Sequence, residues 1–333
     1  MKLGFRMFVT VAVVLTLAMP ILVASDRSPY SGIVVFGTSL SDAGNAFALR
    51  GGTSTPPDYG LNPFLIPTAP YARGGHHFSN GATWVEQLAR SLGLAGSVRP
   101  AYGSESAKAT NYAVGAARAC DAPNDQNVNL GDQVTAFLSD VGGVAPSDAL
   151  YVIEMGGNDL RDAIVAALTV LQGGGSFNAA VQAASPILMC AQAEIQEQIA
   201  ALYAAGARNF LVWTVPDPGL TPAIRSFGPS AMQVAAFLTS TFNNQLLLPT
   251  LQGLDQSLPE LDVTILDVFT LLHQMNANPA NFGLTNTTSA CVTPQDEPYF
   301  CQAADEYLFW DGIHPTRAAH AVVAQEAARV LPQ

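Results

Sequence analysis

The chain has 333 residues, 49% of them hydrophobic and 12% charged, and carries a formal net charge of −12. That apolar fraction supports a sizeable buried core and excludes a disordered chain. So few cations on an acidic chain exclude nucleic acid and anionic membrane as electrostatic partners.

Lys2 and Arg6 precede an apolar run from Met7 through Val23, with small residues at Ala24 and Ser25. This is the pattern of a secretory signal peptide, expected over residues 1–25. The competing reading is a retained anchor, because the run approaches the length that spans a bilayer. Pro20 and the lack of a basic stop-transfer flank favour cleavage. Residues 26–333 are then expected to form one domain, secreted or periplasmic, with no integral membrane segment.

Ile33-Val34-Val35-Phe36 reads as a buried strand ending at Gly37. A Gly- and Pro-rich excursion follows from Gly51 to Gly75, then a helix from Trp84 to Leu92. Asn111 to Val114 is a short strand candidate, Asp132 to Leu138 a helix, and Leu150 to Met155 a strand stopping at Gly156-Gly157. Helices are expected over Asp159–Leu171 and Ala179–Ala205, and a strand over Phe210–Val215. A helix over Met232–Leu254, a strand over Val263–Leu266 and a helix over Arg317–Val330 complete the pattern. Short apolar strands alternating with amphipathic helices predict an α/β fold with a mainly parallel sheet covered on both faces. In such sheets ligands bind beyond the C-terminal strand ends, so the glycine-bearing exits at Gly37, Gly115 and Gly156 mark the edge to search.

Four cysteines, Cys120, Cys190, Cys291 and Cys301, have no metal-ligand spacing. In an oxidising compartment an even count suggests disulfides. Cys291 and Cys301 bracket a polar loop, which favours pairing them and leaves Cys120 for Cys190, although three pairings are open.

Ser39 follows the first strand exit, where it is equally readable as a presented hydroxyl or as a turn serine. The second exit, Asn111-Tyr112-Ala113-Val114-Gly115-Ala116-Ala117, is small enough for backbone N–H groups to approach a bound oxygen. In Gly156-Gly157-Asn158-Asp159, the Asn158 side chain can donate to developing negative charge, while Asp159 reads better as a helix cap. In Trp310-Asp311-Gly312-Ile313-His314-Pro315, a carboxylate three residues before a histidine can hold its ring in one tautomer. The nucleophile-elbow pattern Gly-x-Ser-x-Gly is absent, because position 41 is serine.

In this order the four blocks resemble the GDSL, or SGNH-hydrolase, family of lipases and esterases. Phe78-Ser79-Asn80-Gly81-Ala82-Thr83-Trp84, the run Pro216 to Pro222 and the run Asn278 to Leu284 resemble further stretches of its larger secreted members. The resemblance implies a three-layer α/β/α sandwich, flavodoxin-like, and carboxylic ester hydrolysis. It implies Ser39 as nucleophile, His314 as general base and Asp311 as its orienting carboxylate. An oxyanion hole would be made by Ser39, Gly115 and Asn158, with residue 115 or 116 as the backbone donor. No cofactor and no metal are implied, and the partner is a small-molecule or lipid ester. Two positions depart from the family: Thr38 replaces the usual aspartate, and Ala116 a second glycine. Phospholipase, acyltransferase or polysaccharide O-deacetylase activity are the alternatives on the same fold, and an inactive secreted binding protein is the alternative of another class.

Among the other histidines, the adjacent His76-His77 pair is expected in the substrate cleft or on the surface, and His273 and His320 in structural roles. Asp42 and Asn45 are expected to brace the nucleophile loop. The apolar residues from Tyr59 to Tyr71 read equally as an acyl-binding wall or as loop packing.

Overall fold

The computed structural model describes residues 28–51, 77–104, 106, 108–122, 125–292 and 300–332. The expected signal peptide, His76 and the Tyr59–Tyr71 segment lie outside the described residues.

Four five-residue strands, β1 (Ile33–Gly37), β2 (Leu150–Glu154), β3 (Asn209–Trp213) and β4 (Asp262–Leu266), form a parallel sheet in that order. Because side chains alternate across a strand, each strand feeds two cores. Val34, Phe36, Tyr151, Ile153, Phe210 and Val212 belong to one, and Ile33, Val35, Leu150, Val152, Leu211 and Trp213 to the other. Both faces must therefore be covered, as continuous apolar runs in a parallel sheet require.

The described helices, in chain order, are α1 (Asn45–Leu49), α2 (Trp84–Ser91), α3 (Leu130–Asp140), α4 (Gly157–Gln172) and α5 (Phe177–Ala205), followed by α6 (Pro222–Arg225), α7 (Pro229–Thr241), α8 (Leu248–Ser257), α9 (Val268–Ala277) and α10 (Arg317–Val330). Helices α3, α4, α5, α7 and α8 close the first core, and α2, α9 and α10 the second. The result is the expected three-layer α/β/α arrangement. A small parallel pair, β5 (Asn286–Ala290) with β6 (Tyr307–Phe309), stands apart and was not anticipated. Nor were α1 and α6, whereas α9 contains His273, expected in a helical stretch. Among the described residues no helix is long and apolar enough to cross a membrane. Disulfides join Cys120 to Cys190 and Cys291 to Cys301, the favoured pairing.

Two local expectations need correction. The stretch Asn111–Val114 is not a regular strand, although Tyr112 N–H donates to Val35 and Val114 N–H to Gly37. Its carbonyls at Asn111 and Ala113 accept instead from the Asn45 side chain, at 2.7 and 2.8 Å. The helix expected over Met232–Leu254 is interrupted by a π-helical turn at Phe242–Leu247. That wider turn delivers Asn243 to the exit of β3. There its side chain accepts from Val215 N–H at 2.9 Å and donates to Val215 O at 2.8 Å.

Val215 is buried, so removing this clamp would strand one donor and one acceptor away from water. Asn243→Ala is expected to destabilise the fold by about 2–4 kcal/mol, read as a lower urea midpoint at unchanged m-value.

Candidate active site

β1 must end on a glycine. A Cβ at Gly37 would lie 2.9 Å from Glu154 Oε2 and 3.1 Å from Ser41 Cβ, so the chain could not pass this close to the end of β2. Gln133 of α3 holds the same residue, accepting its N–H at 2.9 Å and donating to its carbonyl at 3.0 Å. Beyond it, Thr38 N–H donates to Glu154 Oε2 at 2.8 Å and Thr38 Oγ1 to Oε1 at 2.9 Å. Ser39 follows directly.

His314 approaches from the loop after β6. Trp310 N–H donates to the His314 carbonyl at 2.7 Å, closing that loop. Asp311 Oδ1 accepts the N–H groups of Ile313 and His314 at 2.8 and 2.7 Å, and its Oδ2 lies 2.8 Å from His314 Nδ1. His314 Nε2 lies 2.9 Å from Ser39 Oγ. An ionised carboxylate only accepts, so Nδ1 carries the ring proton and Nε2 is left to accept from the hydroxyl. Asp311 is wholly buried and His314 nearly so. The Phe78 ring packs at 5.3 Å from the imidazole. Ser39, His314 and Asp311 are thus brought together.

The sheet register brings the other two exits beside Ser39, since Val114 pairs with Gly37 and Gly37 with Glu154. The oxyanion role expected of Gly115 is nonetheless corrected. Its N–H is spent on Asp42 Oδ2 at 2.8 Å. The glycine is required for another reason, because a Cβ would come within 2.5 Å of the Phe78 ring. No hydrogen bond engages the N–H of Ser39 or Ala116 among the described residues. Ala116 sits at φ +72, not in the negative region where alanine is at ease.

Asn158 lies in the first turn of α4. Its amide donates one N–H to Ala117 O at 2.7 Å, which aims the side chain along the same exit and leaves a second N–H. Asp159 is not the helix cap. The cap position is Gly156 at φ +101, and the Asp159 carboxylate instead accepts from Ala119 and Cys120 N–H, both at 2.9 Å.

Asp42 gathers the N–H groups of Gly44, Asn45, Ala46 and Gly115. Burial pushes its carboxyl above the ordinary value, and those four donors oppose the shift. Burial likewise pushes Glu154 up to about 8, against the hydrogen bonds from Thr38. Nothing in the sequence singles out Glu154, which closes an apolar strand, nor Gln133.

His77 is not in a cleft or on the surface. It is buried, with Nε2 at 2.6 Å from Glu86, the carboxylate that also caps α2 through Thr83. His320 is buried too, and accepts Trp84 N–H at 3.2 Å. Burial, then the neighbouring His314 and His77, push it down to about 3, so it stays neutral. His273 packs on Phe269 with Nε2 3.3 Å from Asp217.

Because Ala116 occupies a left-handed conformation, Ala116→Gly is expected to raise stability by about 1 kcal/mol, measured by urea denaturation.

The family model described as GDSL-like Lipase/Acylhydrolase matches residues 33–327. A GDSL esterase/lipase of Arabidopsis thaliana is 27% identical, covering 89% of this chain and 84% of its own length. Another from the same plant is 30% identical over 86% of this chain and 83% of its own. The phosphatidylcholine-sterol acyltransferase of Aeromonas hydrophila is 26% identical over 94% of each chain. The chain belongs to the GDSL-like lipase and acylhydrolase family and is a carboxylic ester hydrolase.

Proposed function

We propose that this ester hydrolase acts through Ser39 as nucleophile, His314 as general base and Asp311 as the group that orients it, by way of an acyl-enzyme. The observation that carries the reading is one continuous relay, 2.9 Å from Ser39 Oγ to His314 Nε2 and 2.8 Å from His314 Nδ1 to Asp311. His314 takes the hydroxyl proton as Ser39 attacks the acyl carbon, then gives it to the leaving alcohol. Water repeats the sequence on the acyl-enzyme and releases the acid.

Negative charge on the tetrahedral oxygen would be met by the N–H groups of Ser39 and Ala116 and by the free amide N–H of Asn158. Gly115 is left out because Asp42 already holds its N–H. Donors fixed before reaction stabilise the developing charge without reorganising at that moment.

The acidic chain suits small-molecule or lipid esters that are uncharged or zwitterionic. Its basic and apolar leader and its two disulfides support a secreted or periplasmic location. A second reading, acyl transfer to an alcohol other than water, is favoured by the likeness to the Aeromonas acyltransferase across nearly the whole of both chains.

The test is a panel of p-nitrophenyl esters from acetate to palmitate, with and without an acceptor sterol, alongside fluorophosphonate labelling. Activity rising with chain length marks a lipase, activity confined to acetate a deacetylase, and steryl ester an acyltransferase. Ser39→Ala is expected to lose labelling and to lower kcat on the order of 10⁶-fold. Asn158→Ala should still label, with kcat about 10²–10³-fold lower. Unchanged hydrolysis by Ser39→Ala would remove the nucleophile assignment.

A further inference from the structure

Glu154 has no part in the relay just described, yet it is the carboxyl on which the nucleophile loop converges. It ends β2, is 1% exposed, and pairs in register with Gly37. Thr38, on one side of Ser39, gives it both a backbone N–H at 2.8 Å and a hydroxyl at 2.9 Å. Ser41, on the other side, closes the turn by giving its N–H to Thr38 O at 3.1 Å, and its Oγ accepts from Trp84 Nε1 at 3.0 Å. The loop therefore has two grips on one side chain, both from the residue that precedes Ser39. The adjacent carboxylate, Asp42, is turned to four other backbone N–H groups. No salt bridge to Glu154 occurs among the described residues.

We propose that Glu154 is a positioning residue for the nucleophile: by binding the N–H and the hydroxyl of Thr38 together, it fixes the direction of the Ser39 hydroxyl and backbone N–H. This rests on Ser39 being the nucleophile. The grip needs hydrogen bonding rather than charge. Ionised, the carboxylate accepts every donor; protonated, its O–H can be given to the Thr38 hydroxyl, which also accepts. Thr38 thus has a task at the position where its relatives' usual aspartate stands. A hydroxyl answers a carboxyl in either state, and valine, of the same shape, would not. A misplacement of about 1 Å in a reacting group is enough to lower a rate on the order of 10²-fold, so loosening either grip should register in turnover.

The experiment compares Glu154→Leu, Glu154→Gln, Thr38→Val and Thr38→Ser with the wild-type and Ser39→Ala proteins on p-nitrophenyl esters, with circular dichroism and fluorophosphonate labelling rates. Glu154→Leu is expected to lower kcat and the labelling rate by roughly 10- to 100-fold with KM within about twofold. Glutamine keeps one acceptor and supplies a donor to the Thr38 hydroxyl, so Glu154→Gln should restore kcat to within about fivefold of wild type. Thr38→Val should fall as Glu154→Leu does, and Thr38→Ser should recover. Wild-type kcat in folded Glu154→Leu, a loss confined to KM, or glutamine failing as badly as leucine would overturn the proposal. Should Glu154→Leu not fold, the valine and serine pair decides, and equal kcat in those two overturns it. If Ser39→Ala keeps its activity, the nucleophile reading itself fails; if Ser39→Ala is dead while all four variants turn over like wild type, only this inference does.

Discussion

Ser39 and His314 lie 275 positions apart, and the 2.9 Å between them leaves only tenths of an ångström of play in either loop. Neither residue belongs to a strand or a helix, so no ladder of backbone bonds holds them. Buried side chains do that work. Gln133 and Glu154 fasten the exit of β1, and Asp42 ties the following turn to Gly115. Asp311 fastens its own loop through two N–H groups while orienting the imidazole. The geometry of the hydroxyl and the imidazole is thus a property of the polar core beneath the sheet edge.

That polar core is unusual in its charge. Asp42, Glu154, Asp159 and Asp311 are all buried, and their partners are backbone N–H groups, hydroxyls and an imidazole. Burying a carboxyl raises its affinity for a proton unless donors compensate, and here burial prevails at Asp42, Glu154 and Asp159. Such groups are costly to leave half-satisfied, so each one commits several loop amides to a single arrangement. Rigid loops follow from the cost of breaking any one of these bonds.

The two departures from the family acquire physical content in this setting. Thr38 keeps the loop anchored by pairing with Glu154. Ala116 takes a left-handed conformation in which glycine would be unstrained, held there while its neighbour Gly115 is drawn to Asp42 and pressed by Phe78. Asn158, at the neighbouring strand exit, is held by its own hydrogen bond to Ala117 O.

Strand and helix periodicity is local, which is why Ile33–Gly37, Leu150–Glu154 and the helix Arg317–Val330 were legible within a residue or two. Short elements such as Asn45–Leu49 carry too few turns to show a period, and the π turn at Phe242 leaves an apolar run looking like any helix. A serine, an asparagine and an Asp-x-x-His at strand exits were legible as candidates from residue type and spacing, and the fold brings Ser39, His314 and Asp311 within hydrogen-bond distance of one another. What each donor is free to do was not legible. That Gly115 had given its N–H to Asp42, that Asp159 braces Ala119 and Cys120 instead of capping, and that His77 is buried on Glu86 are contacts between residues far apart in the chain or in loops without period. The sequence by itself determined the alternation of layers and the inventory of reactive groups, since both are written in residue type and near-neighbour spacing. Only the tertiary structure decided which hydrogen-bond donors remain unspent at the sheet edge, because a donor's availability depends on every acceptor the fold brings within 3 Å of it.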